Sequence, residues 1–152
     1  MKIIISGAYA IGTFLAKLLS RNMQDIILMD ENPENLEKIS SEYDLLTMEC
    51  SATNIKGLKD AGVEHTDLFI AVTPNESANI AACVMAHQLG AKKTVARVDN
   101  SEYIEESNKE LFRKMGVDDI IYPEILAAKD IINGLKMSWV RQRWDVHDGA
   151  LV

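Results

Sequence analysis

Apolar residues along this chain fall into two alternating patterns. Six short stretches, 2–6, 25–29, 44–48, 67–72, 93–98 and 117–121, carry apolar runs too short for helices and without helical period; such runs read as strands of a parallel sheet covered on both faces. Between them lie stretches whose apolar residues recur every three or four positions: Phe14, Leu15, Leu18 and Leu19; Leu36, Ile39 and Tyr43; Ile55, Leu58 and Ala61; Ile80, Cys83, Val84, His87 and Leu89. These predict helices. Asn32-Pro33-Glu34 marks one helix start, with a cap, a proline at the first position and an acid against the helix dipole. The stretch 102–115 reads as an interrupted helix, because Ser107-Asn108-Lys109-Glu110 has the form of a second capping box. Gly62, Gly90 and Gly116 each stand between a helix and the next strand, where a left-handed residue closes the helix. Strict alternation of strand and helix predicts an α/β doubly wound, Rossmann-like, six-stranded parallel sheet of order 3-2-1-4-5-6 with helices on both faces. The stretch 67–72 is the most apolar and belongs at the centre. The stretch 93–98 alternates enough to lie toward the edge.

The opening 21 residues carry the candidate chemistry. A buried strand runs into Gly7-Ala8-Tyr9-Ala10-Ile11-Gly12 and then into a helix, which is the setting of a dinucleotide fingerprint, G-x-G-x-x-G. Gly7 and Gly12 occupy the first and third glycine positions, and Tyr9 stands at the second. Asp30 follows at the end of the second strand, close to the spacing at which a carboxylate accepts hydrogen bonds from a ribose. Together these features predict a mononucleotide-binding βαβ unit, with the crevice between the first and fourth strands. The other reading of Asp30 is a solvated strand end or part of the next helix start.

Composition narrows the functional classes. A chain of 152 residues with net charge −7 and scattered Lys and Arg lacks the basic stripe that nucleic acid or anionic lipid requires. Cys50 and Cys83 have no C-x-x-C partner, and His65, His87 and His147 form no ligand-type group; two structural thiols are the economical reading. Cys83 and His87 fall one turn apart but have no evident orienting third group, so neither receives a role. No stretch approaches the ~20 apolar residues of a membrane span. A helix over 123–137 is apolar around more than half its circumference, more than one buried stripe needs. With Trp139 and Trp144 it predicts either a partner interface or cover in cis by further chain. Asp148-Gly149-Ala150-Leu151-Val152 reads as a turn and the start of another strand. The expected division is 1–136 for the sheet domain and 137–152 for a linker and the start of a second, truncated one.

The phrase Asp67-Leu-Phe-Ile-Ala-Val-Thr-Pro-Asn-Glu, then Asn79-Ile-Ala-Ala-Cys, Lys93-Thr-Val-Ala-Arg-Val, Glu102-Tyr103 and Tyr122-Pro-Glu-Ile-Leu-Ala-Ala resemble, in order, the N-terminal domain of TrkA, the cytoplasmic regulatory subunit of bacterial Trk potassium uptake, a domain type also called RCK or KTN. The resemblance implies a non-catalytic sensor that binds NAD, NADH or an adenine nucleotide (ATP, ADP or AMP). It implies a homodimer within a larger homo-oligomer that gates a membrane potassium-transporting subunit from the inner face of the cell membrane. Carried onto this sequence, the ligand residues are Gly7, Tyr9, Ala10, Ile11 and Gly12 of the turn, Asp30 for the ribose, Ser51, Ala52 and Thr53 on the adenine side, Thr73 on the phosphate side, and Arg97. No catalytic residue or metal ligand is implied. Tyr9 departs from the family's central glycine, and its side chain crowds the pyrophosphate seat. Cys50-Ser51 departs from the usual Gly-Asp. Two other functions stay open at this point: an assembly scaffold that has lost its ligand, which Tyr9 favours, and an NAD(P)-dependent oxidoreductase, for which no acid, base or substrate domain is visible.

Overall fold

The computed structural model describes residues 1–22 and 24–123, and Met1–Tyr122 forms a compact unit. The expected helix over 123–137, the two tryptophans and the boundary at 136 lie outside the described residues. The elements run β1 (Lys2–Ser6), α1 (Ala10–Ser20), β2 (Asp25–Asp30), α2 (Pro33–Ser40), β3 (Leu46–Glu49), α3 (Ile55–Asp60), β4 (Leu68–Ala71), α4 (Glu76–Leu89), β5 (Lys93–Arg97), α5 (Glu106–Met115) and β6 (Asp119–Ile121). All pairings are parallel, and the strand order is β3-β2-β1-β4-β5-β6. The predicted order is the observed one. Central β1 pairs with β2 on one side (Ile4 opposite Ile27) and with β4 on the other (Ile4 opposite Phe69).

The core follows from that geometry. Ile3, Ile4, Ile5, Leu28, Met29, Leu68, Phe69 and Ile70 are essentially inaccessible to solvent, because helices cover both sheet faces, and full burial of each such side chain contributes about 1.5–3 kcal/mol. β5 lies one strand in from the β6 edge, paired on both sides.

Helix boundaries are mostly set by asparagine. The side-chain oxygens of Asn32, Asn54 and Asn75 accept from the first-turn N–H groups of Glu34, Gly57 and Ala78, so α2, α3 and α4 are each capped. An Asn54→Ala variant should lose about 1 kcal/mol of unfolding free energy in urea, the usual worth of such a cap. Gly90 and Gly116 close α4 and α5 in the left-handed region, at φ 119° and 104°. Gly62, at φ 82°, follows α3 and opens a 3-10 turn, Val63–His65, which the periodicity did not predict.

Several expectations need correction. Ile55, placed on the apolar face of α3 by its spacing, is 51% exposed; it is the first residue of a short helix and lies beyond the core residues Gly57 and Leu58. Tyr43 falls after α2 has ended. The interruption before α5 is real, formed by the 3-10 turn Ser101–Ile104. It is not a capping box at Ser107: α5 already begins at Glu106, with no side-chain cap. Asn108 instead donates from Nδ2 to the Glu102 carbonyl, 2.8 Å away, tying the helix back to the turn before it.

Candidate functional site

The carboxyl ends of β1, β2 and β4 and the segment after β3 enclose a cleft of about 800 Å³. Its lining includes Gly7, Tyr9, Asp30, Ser51, Ala52, Thr53 and Thr73, seven of the residues singled out from sequence. Ala10, Ile11, Gly12 and Arg97 are not in the lining. Sequence reasoning did not place Glu31, Asn32, Cys50, Asn75 or Ala78 there; Glu31 and Asn32 directly follow Asp30 into a helix start that was recognised, whereas Ala78 carried no such signal.

The glycine turn is built by close backbone packing. Gly7 sits at φ 113°, and a Cβ there would lie 2.8 Å from the Thr73 amide nitrogen. Gly12 is tighter still, since a Cβ there would stand 1.7 Å from the Gly7 carbonyl oxygen. The third glycine thus lets α1 rest on the turn that precedes it. Tyr9 is different: its backbone, at φ −101° and ψ −165°, is extended, so nothing in the main chain asks for glycine. Position 9 is a question of space. The Tyr9 side chain is 44% exposed and borders both the main cleft and a smaller groove of about 320 Å³ that Thr13, Lys17, Asn35 and Lys38 also line. Tyr9 is the N-cap of α1 but supplies no side-chain acceptor. The first-turn N–H groups there lack the cap that asparagine gives the three helices that follow.

Asp30 is buried and organises the floor of the cleft. Its Oδ2 accepts from the Ala8 amide at 2.7 Å, and its Oδ1 from the Asn32 amide at 2.8 Å and Asn35 Nδ2 at 3.3 Å. One carboxylate therefore joins the glycine turn to the start of α2. Since a carboxylate offers about four acceptor positions, Oδ2 retains one for a further donor.

The β4 side is held by Asn79, whose role the sequence did not reveal. Fully buried on α4, it accepts at Oδ1 from the Thr73 amide (3.0 Å) and hydroxyl (2.6 Å), and donates from Nδ2 to the carbonyls of Thr73 (2.9 Å) and Arg97 (3.0 Å). Arg97 thus meets this network through its carbonyl, while its Nη2 lies 3.4 Å from Asp99 Oδ1.

Neither thiol is activated. Burial, Asp60 and Glu31 push Cys50 upward; burial pushes Cys83 far up, and its Sγ donates to the Val95 carbonyl at 3.3 Å. His87, one turn away, is exposed and packs beside Gly116. Among the described residues no cluster of His, Cys, Asp and Glu is arranged to hold a metal ion, and no helix is long and apolar enough to cross a membrane.

The TrkA-N domain model matches residues 3–123. The chain belongs to the TrkA-N domain family. Among curated relatives, the Trk system potassium uptake protein TrkA of Haemophilus influenzae is 39% identical over 134 residues, and the TrkA homolog of Archaeoglobus fulgidus is 37% identical over 131. Each alignment covers 86% of this chain and 29% of the relative, so the chain spans under a third of those proteins. Among solved structures, the NAD(P)-binding domain of an exopolyphosphatase-related protein from Archaeoglobus fulgidus superposes with TM-score 0.70 at 15% identity, covering 89% of this chain and 97% of that one. The GsuK channel bound to NAD gives 0.63 at 20% identity over 79% and 21%. The AMP-bound Kef C-terminal domain of Shewanella denitrificans gives 0.63 at 19% identity over 90% and 81%. At these identities the likeness is one of fold, and it agrees with the Rossmann-like TrkA-N topology described above.

Proposed function

We propose that this TrkA-N domain is the nucleotide-binding part of a regulatory, non-catalytic subunit of a potassium uptake system. The observation that carries the reading is the cleft at the carboxyl edge of β1, β2 and β4, where the glycine turn, the N-cap position of α1 at Tyr9 and the buried acid converge. An uncapped helix N-terminus attracts a phosphate through free N–H groups and the helix dipole. The spare acceptor on Asp30 Oδ2 suits a ribose hydroxyl, and a volume of about 800 Å³ lies within the usual range for small-molecule sites. Ser51, Ala52 and Thr53 take the adenine side in this reading, and Thr73 the phosphate side. Relatives named as potassium uptake proteins, together with neighbours bound to NAD or AMP, support NAD, NADH or an adenine nucleotide as ligand. They also support a membrane potassium-transporting subunit as partner.

The mechanism is linkage. A ligand shifts a two-state assembly only by the difference in its affinity for the two states, so the domain works as a homodimer within a larger homo-oligomer whose hinge the ligand biases. The complex sits on the cytoplasmic face of the membrane, held there by its transport partner. Arg97 serves as a ligand contact near the dimer seam in this arrangement, and 1–136 is the nucleotide domain.

A thermal-shift series with NAD, NADH, ATP, ADP and AMP tests the reading. A ligand at 100 times its Kd stabilises the fold by about 2.7 kcal/mol, so at least one nucleotide should raise the melting temperature by several degrees. Tyr9→Gly should keep the fold, because Tyr9 is partly exposed and its backbone is unstrained, and should bind more tightly where the phenol crowds a pyrophosphate. If no nucleotide stabilises the wild type while Tyr9→Gly binds one, Tyr9 has closed the site and the domain is an assembly scaffold.

A further inference from the structure

Asn79 occupies a junction that the nucleotide reading does not use. All four hydrogen-bonding positions of its amide are filled, two acceptor and two donor. The network also fixes the orientation of the amide. Turned over, it would set its NH₂ against the Thr73 N–H and its oxygen against two carbonyls. Two consecutive loops meet through this one side chain: the turn after β4, which forms a wall of the cleft, and the end of β5. Glu76 adds a second tie between the same loops, with Oε2 accepting from the amides of Asp99 (2.8 Å) and Asn100 (3.1 Å).

The Thr73 hydroxyl has one proton. Two acceptors lie within its reach, Asn79 Oδ1 at 2.6 Å and the Asn75 carbonyl at 3.3 Å, and the shorter contact is the one to Asn79. A phosphate oxygen arriving at Thr73 would compete for that proton, and could take it only by turning the hydroxyl away from Asn79.

Building on the nucleotide reading, we infer that Asn79 is a positioning residue that transmits occupancy of the cleft at Thr73 to the β5 end and the 97–101 loop. Without it, the end of β5 loses its direct tie to Thr73, and only the Glu76 contacts to Asp99 and Asn100 remain between the two segments. The loop leads directly into the turn Ser101–Ile104 and α5, so the signal leaves the cleft along the chain.

Hydrogen–deuterium exchange on the 152-residue chain separates this role from simple support. Asn79→Asp keeps an acceptor for the Thr73 amide and hydroxyl but sets a carboxylate oxygen against the Thr73 and Arg97 carbonyls. Without ligand, the amides of Asp99 and Asn100 should exchange roughly fivefold faster in Asn79→Asp than in wild type, the factor for about one net hydrogen bond. Asn79→Ser, which removes the bridge to the Arg97 carbonyl without burying a charge, serves where Asn79→Asp folds poorly. With NADH or AMP at saturation, exchange at Asp99 and Asn100 should change in wild type and stay flat in Asn79→Asp and Asn79→Ser, while calorimetry still detects ligand in the variants. Unchanged ligand-free exchange in Asn79→Asp overturns Asn79 as a positioning residue, whether or not any nucleotide binds. A variant that binds and still transmits to Asp99 and Asn100 overturns the transmission role. A wild type that binds none of NAD, NADH, ATP, ADP and AMP, with ligand-free exchange altered as expected, overturns the transmission role together with the nucleotide reading and leaves Asn79 as a structural tie.

Discussion

Gly12→Ala is expected to lose at least about 3 kcal/mol of stability, at the severe end of what single substitutions cost. Helix propensity points the other way, since alanine is favoured over glycine inside a helix by about 1 kcal/mol. Packing decides against it. The added Cβ would stand 1.7 Å from the Gly7 carbonyl oxygen, and also 3.3 Å from a Val72 methyl. The first of these is main chain at the base of the turn, so no side chain can swing aside. The whole of α1 must lift off the sheet, and the contacts of Leu15, Ala16 and Leu19, all buried, loosen together. Denaturant unfolding measures the loss directly. Because Gly12 does not line the cleft, its effect on any ligand should follow from lost stability and helix placement; a Gly12→Ala protein with wild-type stability would show that α1 has room the structure does not display.

Asp30→Ala carries the second large effect, a loss of about 2–4 kcal/mol. Three donors converge on this carboxylate. Two are main-chain N–H groups, that of Ala8 in a buried bond and that of Asn32 in a part-buried one, and hydrogen bonds to a charged group are stronger than neutral ones. Asp30→Asn should cost less, because its remaining carbonyl oxygen can still accept from one side. Its NH₂ then faces a donor on the other. Both variants should abolish nucleotide stabilisation in the thermal-shift assay, including at ligand concentrations that compensate for weakened folding. A stable Asp30→Ala that still responds to NADH would remove Asp30 from the site.

The contrast between these two residues shows what a sequence can convey. Gly12 was legible because its constraint is local: a helix packing on its own preceding turn requires a missing Cβ five residues after the first glycine. Asp30 stood out by its spacing after the glycine turn, and it does line the cleft, but its structural duty of bridging the Ala8 amide and the start of α2 could not be read that way. That duty depends on the sheet bringing the ends of β1 and β2 side by side. Strand order was recoverable because strict alternation of strand and helix leaves few right-handed arrangements.

Asn79 stayed hidden for the opposite reason. An asparagine inside a helix reads as a poor helix former, and the three main-chain groups it satisfies besides the Thr73 hydroxyl carry no sequence signature. Arg97 has a structural part that was hidden in a related way. Its position at the strand end was correctly inferred, but its carbonyl, which any residue would supply, is what joins the Thr73 network. At Ser107 the four-residue pattern of a capping box was present without its geometry, because Asn108 was already committed to the preceding turn.

The adjacency of β1 and β4 also has a consequence in time. Ile3 pairs with Leu68, which leaves the ribosome 65 residues later (68 minus 3), or roughly 3–13 s at ordinary rates of synthesis. Through that interval the nascent β1 can pair with β2 on one side only. Its other edge, Ile3 to Ser6, is an apolar strand with unpaired main-chain groups, the kind of surface through which chains aggregate. The cleft does not exist until β4 closes that edge, so a nucleotide cannot rescue the half-made chain. Any protection during synthesis has to come from a chaperone or from speed.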